Sequence, residues 1–351
     1  MQKIFLKNFR NIDEALIEFS DSVNIFYGQN AQGKTNLIEA LYLCATGRSM
    51  RTNIEQEMIK FGSSIATVKL AFFNGETICV NFENAKKNIF VNGTQITKLG
   101  ELLGKLPIVI FSPEDLQLIK SNPSARRKFM DTEICQINKF YYYKLKQYYR
   151  ILRQRNVFLK NNPTAEMFDV WDNQLIEHGL KIINEREKFI QKINEQAAKI
   201  YSHITNANET LCVIYKPNVT SEDFAAKIKK HRDYDIFNGS TSNGIHKDDL
   251  AFEINGKSAK IYGSQGQQKT VALTLKLAEI NLIHEATSKF PVLLLDDILS
   301  ELDESRRHFL IDYVKKFQVI LTCNNLENLI KKNLTAAKFF RVQCGKFFNG
   351  E

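Results

Sequence analysis

The 351-residue chain has no apolar run approaching the ~20 residues that a membrane-spanning helix requires, so a helical span is excluded. Its opening, Met1-Gln-Lys-Ile-Phe-Leu-Lys-Asn-Phe-Arg10, is charged every few positions; it lacks the apolar centre of a secretory signal and reads as a strand. The six cysteines (Cys44, Cys79, Cys135, Cys212, Cys323, Cys344) form no C-x-x-C pair. Most sit among apolar residues, which argues for reduced core thiols and against metal ligands or disulfides. These absences together predict a cytosolic protein without a membrane partner. Nothing repeats internally and no segment is of low complexity, so neither a solenoid nor a linker-rich chain is expected.

What is present is ordinary in bulk: 44% apolar and 25% charged residues, the proportions of a globular protein. The length suffices for a large core and two or three domains. A net charge of +9 leans toward a polyanionic partner.

The most informative stretch begins with an apolar run, Val23 to Tyr27, that reads as a buried strand. It breaks into Gly28-Gln29-Asn30-Ala31-Gln32-Gly33-Lys34-Thr35, and a helical pattern follows at Leu37, Ile38 and Leu41. G-x-x-x-x-G-K-T between a strand and a helix is the phosphate-binding loop in the context it needs. The glycines let backbone N–H groups close around phosphate oxygens, at the positive end of the new helix. Lys34 is placed to reach the β- and γ-phosphates of a nucleotide, and the Thr35 hydroxyl to hold Mg²⁺.

Around this loop the chain changes character several times. Residues 2–19 read as two short strands, and Thr46 to Thr52 as a polar, basic loop carrying Arg48 and Arg51. From 65 to 110 the pattern is β-rich, with Asn74-Gly75 and Asn92-Gly93 as hairpin turns. Leu106 to Phe111 reads as another buried strand, and Ser112-Pro113-Glu114-Asp115 as a helix start. From Phe140 to Thr205 glycine is absent but for Gly179 and the helical periods are long, broken at Asn161-Asn162-Pro163, with Tyr141, Leu145, Tyr148, Leu152 and Leu159 on one stripe. Two antiparallel helices of about 20 and 35 residues are predicted there, roughly 30 and 50 Å long, and the tyrosines are read as packing. A strand at Leu211 to Tyr215, a basic helix through Lys227 to Arg232, and a hairpin pairing Leu250 to Ile254 with Ala259 to Tyr262 follow.

Near the end, Pro291-Val-Leu-Leu-Leu-Asp296-Asp297 is an apolar strand closing on two carboxylates. Asp296 is placed to hold Mg²⁺ through water, and Asp297 to orient or deprotonate an attacking water. Most of the chain separates Lys34 from this pair, far more than in small GTPases. An insertion of that size fits the ATP-binding-cassette heads of chromosome-maintenance proteins. Such a head needs a third element before the acidic strand, and Ser264-Gln265-Gly266-Gln267-Gln268 opens a helical run there. Ser264 suits the N-cap and Gly266 permits close backbone approach. Cassette logic assigns Ser264, Gly266 and Gln267 to the γ-phosphate of ATP held by another copy, making ATP the glue of a two-fold homodimer. Ser300-Glu301-Leu302-Asp303 supplies the loop that crosses to the partner. The last buried strand read from the sequence, Gln318 to Leu321, ends at Thr322-Cys323-Asn324, where a γ-phosphate sensor belongs.

Taken together, Leu6 to Asn11, Gly28 to Thr35, Phe111 to Leu116, Arg126-Arg127 with Asp131, His246-Lys247-Asp248-Asp249, the Ser264 segment and Asp296-Asp297 with Ser300 to Asp303 resemble the RecF family of bacterial recombination mediators. The chain departs from the family pattern in Gly244-Ile245-His246-Lys247, where proline and arginine are usual, and in Thr322-Cys323-Asn324; Gln117 matches a Q-loop glutamine by position alone. The resemblance implies an α/β ABC/SMC-type P-loop ATPase head with an inserted antiparallel helical arm, the head from 1–120 and 240–351 and the arm from 121–239. It implies a weak, DNA-stimulated ATPase using ATP and Mg²⁺ and binding double-stranded DNA and single/double-strand junctions or gaps as an ATP-dependent dimer. RecR, with RecO, is the implied partner in loading RecA during DNA repair and replication restart. The basic segments Arg126-Arg127-Lys128 and Lys227 to Arg232, with Arg48 and Arg51, are the candidate DNA contacts. Competing readings are a transporter ATPase subunit, disfavoured by the arm, and a structural DNA clamp with incidental ATP turnover. A nuclease is disfavoured because no further acidic cluster accompanies Asp296-Asp297.

Overall fold

A computed structural model describes residues 1–84, 86–161, 165–326, 333–334 and 336–350. The chain forms two compact units, Met1–Asp115 with Ile283–Glu351, and Leu116–Leu282. The first runs β1 (Lys3–Phe9), β2 (Ile12–Glu18), β3 (Val23–Tyr27), α1 (Lys34–Thr46), β4 (Ile65–Ala71), β5 (Thr77–Glu83), β6 (Lys86–Val91), β7 (Thr94–Ile96) and β8 (Ile108–Phe111). The second holds α2 (Pro123–Ile137), α3 (Lys139–Leu159), α4 (Ala165–Ile204), β9 (Leu211–Lys216), α5 (Phe224–Lys230), α6 (Arg232–Asn238), β10 (Asp249–Ile254), β11 (Lys257–Ser258) and α7 (Ala259–Tyr262). Helix α8 (Gln265–Thr287) leads back to the first unit, which ends with β12 (Val292–Asp296), α9 (Glu304–Val314), β13 (Val319–Cys323), β14 (Lys338–Gln343) and β15 (Lys346–Asn349).

Two sheets build the first unit. One is antiparallel, in the order β2-β1-β4-β5-β6-β7; the other is β15-β14-β3-β13-β12-β8, parallel except at β15. Strands of the second sheet read as continuous apolar runs because both faces are covered: β12 and β13 are buried at every position. Helix α1 is buried almost all round, from Leu37 through Leu41 and from Leu43 to Ala45, and shares one core with residues of both sheets. The loop before it therefore leaves the carboxyl end of a central parallel strand, where open α/β sheets place their ligands.

In the second unit α3 and α4 run antiparallel, with Arg155 bonded to Asp172 at one end and Tyr141 to Arg186 at the other. Tyr141, Tyr148, Leu152 and Leu159 are buried, so the tyrosine stripe is packing, as its spacing predicts. Helix α4 is 40 residues long, somewhat beyond the expected length.

Several expectations need correction. Ala259 to Tyr262 is a helical turn, not a strand: the Gln268 amide donates to the carbonyls of Ala259 and Gly263 and curls the chain back on itself. The basic helix breaks at His231 into α5 and α6. The segment after Ser112 is a single 3₁₀ turn, Pro113–Gln117. The core sheet does not end with β13 but continues into the β14–β15 hairpin, where the register pairs β14 with β3. Residues 240–282 pack within the second unit.

Candidate functional site

Helix α1 starts bare. Its N-cap is Gly33, with φ +116°, no side-chain cap and no acid in the first turn. Helices α2, α3 and α9 are instead capped by Asn122, Asn138 and Asp303. The first N–H groups of α1 thus remain available to an anion. An open cavity of about 1260 Å³ lies in front of them. Asn30, Ala31, Gln32, Gly33, Lys34, Thr35, Asp296 and Asp297 all line it, so nearly every residue expected of a Mg-nucleotide site in this half of the motif set is gathered there.

The remaining two loop residues act through their carbonyls. The Lys34 ammonium donates to the Gly28 carbonyl, to the Gln29 carbonyl at 2.9 Å and to Asn324 Oδ1 at 3.0 Å. Its burial pulls the amine below its usual pKa, with Asp297 and Asp296 opposing. Thr35 Oγ1 donates to Asp296 Oδ1 at 3.2 Å, and buried Thr322 donates to the same oxygen at 2.7 Å. An octahedral Mg²⁺ with bonds of 2.0–2.1 Å spaces neighbouring ligands about 2.9 Å apart. Both oxygens are hard donors, and their separation suits Thr35 as a direct ligand with Asp296 beside it holding the cation through water. No group of three or more His, Cys, Asp or Glu fit for a metal occurs among the described residues, so a cation here would take its other ligands from phosphate and water.

Burial pushes the carboxyls of both Asp296 and Asp297 upward. Asp297 sits in the left-handed region at φ +51°, its N–H bonded to the Thr322 carbonyl and hydroxyl. Asn324 donates to Asp297 Oδ2 at 3.1 Å while accepting from Lys34, and so links the lysine to the second aspartate. Thr322-Cys323-Asn324 departs from the hydroxyl-rich pattern, yet its first and third residues reach the acidic pair.

Arg10 and Asn11 also line the cavity, a role that their β1–β2 turn did not disclose. Arg10 grips Glu39 of α1 with two bonds of 2.9 and 2.7 Å, and Arg51 lies 3.7 Å from the same carboxylate. Asn11 accepts from Asn36 at 2.8 Å. A charged residue within a hairpin turn, outside the phosphate-loop motif, carries no local signal of this.

Ser264, Gly266 and Gln267 belong to the second unit. Ser264 N–H donates to Gln267 Oε1 at 2.8 Å and Gln267 N–H to Ser264 Oγ at 3.2 Å, a reciprocal capping box at the start of α8. Among the described residues, no partner takes up the backbone N–H of Gln265 or Gly266, and Ser264 and Gln265 are exposed.

The candidate basic contacts fare unevenly. Arg126 is buried and bidentate on Asp249, at 2.6 and 2.9 Å; Arg127 donates to the Asp248 carbonyl; Arg232 is paired with Asp169 and Asp172. The three cations hold the second unit together. The His246-Lys247-Asp248-Asp249 motif serves the same interior: Asp248 accepts from buried Arg186 and from Tyr215, and His246 meets Tyr148 at 2.9 Å.

Comparison with known proteins now decides the family. The RecF/RecN/SMC N terminal domain family matches residues 1–344. The chain is 42% identical to the DNA replication and repair protein RecF of Lachnospira eligens, covering 99% of both chains. It is 43% identical to RecF of Clostridium botulinum over 94% of each. The chain belongs to the RecF family. A solved structure of the recombination mediator RecF with ATP, from the RecFOR pathway, is 34% identical, covers 100% of this chain and 97% of its own, and superposes with a TM-score of 0.90. An SMC head bound to the C-terminal winged-helix domain of ScpA matches at 18% identity and a TM-score of 0.60, which shows the shared fold. The fold is thus that of an ABC/SMC-type ATPase head with an inserted helical arm, as in other RecF proteins. Among the described residues no helix is long and apolar enough to cross a membrane.

Proposed function

We propose that this chain is an ATP-switched, DNA-binding recombination mediator. The observation that carries the reading is the uncapped start of α1, with Lys34, Thr35 and the acidic pair lining one cavity in front of it. Mg-ATP provides the charge that Lys34, the loop N–H groups and the Thr35–Asp296 oxygens are arranged to hold. On binding, Lys34 exchanges the carbonyls of Gly28 and Gln29 for phosphate oxygens. Asp297, with its carboxyl raised by burial, is suited to orient a water and take its proton. Asn324, between Lys34 and Asp297, is suited to register whether the terminal phosphate is present.

The second half of the site comes from another copy. Ser264, Gly266 and Gln267 start α8 with two unsatisfied N–H groups, which suits them to the γ-phosphate held by the partner subunit. ATP then closes a dimer, and slow hydrolysis, stimulated by DNA, opens it. RecF relatives are called DNA replication and repair proteins, and a solved relative belongs to the RecFOR pathway. These names support DNA as the partner, and our reading is duplex DNA at single/double-strand junctions and gaps, where this chain would help load RecA with RecO and RecR. Sedimentation with and without ATP and duplex DNA tests the reading. The chain should be a monomer alone and a dimer with Mg-ATP; Ser264→Arg should keep ATP binding and lose the dimer. A Ser264→Arg protein that still dimerises with ATP would refute the composite site.

A further inference from the structure

The turn joining β14 to β15 meets the phosphate-binding loop directly. Cys344 N–H donates to Gln32 Oε1 at 2.7 Å, and Gly345 N–H donates to the Gln32 carbonyl at 2.8 Å. At the loop's other end, Gly28 passes so close to β14 that a Cβ there would lie 2.3 Å from the Val342 carbonyl oxygen. Gly345, at φ +75°, backs onto the β1–β2 turn, where its own Cβ would stand 2.4 Å from the Asn11 carbonyl oxygen. Asn11 in turn donates its amide to the Ala31 carbonyl at 3.4 Å.

Two consecutive loop carbonyls, those of Ala31 and Gln32, are therefore drawn outward by neighbouring elements. In a trans peptide the C=O and the following N–H point in opposite directions. Anchoring these carbonyls turns the N–H groups of Gln32 and Gly33 away from the hairpin and from Asn11. Those are the groups an anion at the start of α1 must find. The loop's glycines leave it free to rotate its peptides, so something outside it has to choose their orientation.

We propose that the C-terminal hairpin turn, Gln343 to Gly345, is a positioning element of the nucleotide site, and that the Gln32 side chain braces against it instead of touching phosphate. This rests on the reading that the loop binds ATP. Without the brace the two carbonyls can swing inward and present their negative ends to the phosphates.

The test measures Mg-ATP affinity by calorimetry on the full chain, together with the nucleotide-free melting midpoint. Gln32→Ala removes one hydrogen bond and should weaken ATP by roughly 3- to 10-fold. Gly345→Ala forces the turn away from Asn11 and should weaken ATP by about tenfold or more, while the double variant does no worse than Gly345→Ala alone. Gln32→Met keeps the shape and the charge but offers Cys344 N–H no oxygen, so it should weaken ATP about as much as Gln32→Ala, a test independent of whether Gly345→Ala folds. Unchanged affinities, or losses that multiply in the double variant, would overturn the brace, as would Gln32→Met binding ATP as the wild type does. Lys34→Ala separates the two claims. If it binds ATP as the wild type does, the nucleotide reading falls; if it alone loses ATP, only the brace falls.

Discussion

Arg186 offers the sharpest test of what the His246-Lys247-Asp248-Asp249 motif is for. The guanidinium is fully buried and donates to Asp248 Oδ2 at 2.7 Å, the Ile245 carbonyl at 2.7 Å, Asp131 at 2.8 Å and Tyr141 at 3.0 Å. Arg186→Met fills similar space but strips Asp248 of its counter-charge, leaving it Tyr215 and the Asn218 N–H. Breaking one side of a buried pair costs about 3–5 kcal/mol, because the remaining charge is uncompensated. For a unit of this size that is a fall in midpoint of roughly 6–20 °C. Burial already raises the Asp248 carboxyl while Arg186 lowers it, so the substitution raises it further. A raised acid contributes stability below its unfolded pKa and loses it as pH rises through its folded value. The penalty of Arg186→Met should therefore be largest above neutrality and shrink on acidification, when Asp248 takes a proton. The chain's single tryptophan, Trp171, lies on α4 in the second unit, so urea titration followed by its fluorescence reports on that unit. A loss below about 1 kcal/mol, or a loss that does not shrink with acid, would refute an ion pair as the motif's purpose.

Three further outcomes follow from the same geometry. Burial pushes the Asp296 carboxyl upward by penalising its charged form, and an amide oxygen can still accept from Thr35 and Thr322, so Asp296→Asn should raise the Mg-free midpoint at pH 7–8 by about 2–4 °C while abolishing Mg-dependent turnover; a lower midpoint would contradict the burial argument. Burial lowers His246 to about 4, so neutral His246 contributes stability above its ordinary value of 6.5 that is lost as pH falls toward 4. Asp248 titrates in the opposite sense, so the measurement is the difference in Trp171 urea midpoints between wild type and His246→Gln, which should narrow over that range. Finally, DNA affinity should fall linearly with salt on logarithmic axes; Arg126→Ala, which breaks the pair with Asp249, should lower stability by about 1–3 kcal/mol and leave the salt slope unchanged.

The loop from Gly28 to Thr35 and the strand ending at Asp296-Asp297 were legible because each is a local pattern: a run of apolar residues, then polar groups at fixed spacing. Their meeting in one cavity follows from β3, β13 and β12 lying side by side in parallel register. The β14–β15 hairpin was not legible. Lys338 to Asn349 mixes aromatics with lysines and carries no motif, and its place beside β3 is a long-range pairing that no window of sequence contains. The internal pairing of Arg126, Arg127 and Arg232 was not legible for a related reason. A cluster of cations looks the same in sequence whether it faces a polyanion or an interior carboxylate, and Asp249, Asp248 and Asp172 lie far away along the chain. The Ala259 to Tyr262 turn failed on shape alone: its alternation suits a strand, but the Gln268 amide rewards a helical turn with two carbonyl acceptors.

The resting position of Lys34 bears on how the switch is biased. Its ammonium is satisfied by two loop carbonyls and Asn324, so ATP does not fill a void around an unpaired charge. On the proposed reading it would exchange the Gly28 and Gln29 carbonyls for phosphate oxygens, and only the difference would count toward affinity. Asn324 would stay between Lys34 and Asp297. A terminal phosphate would then be coupled, through that one side chain, to the residue proposed to activate water. Lys34→Ala should accordingly leave the nucleotide-free fold intact, because it removes the donor and leaves only acceptors at the edge of an open cavity, where water can reach them.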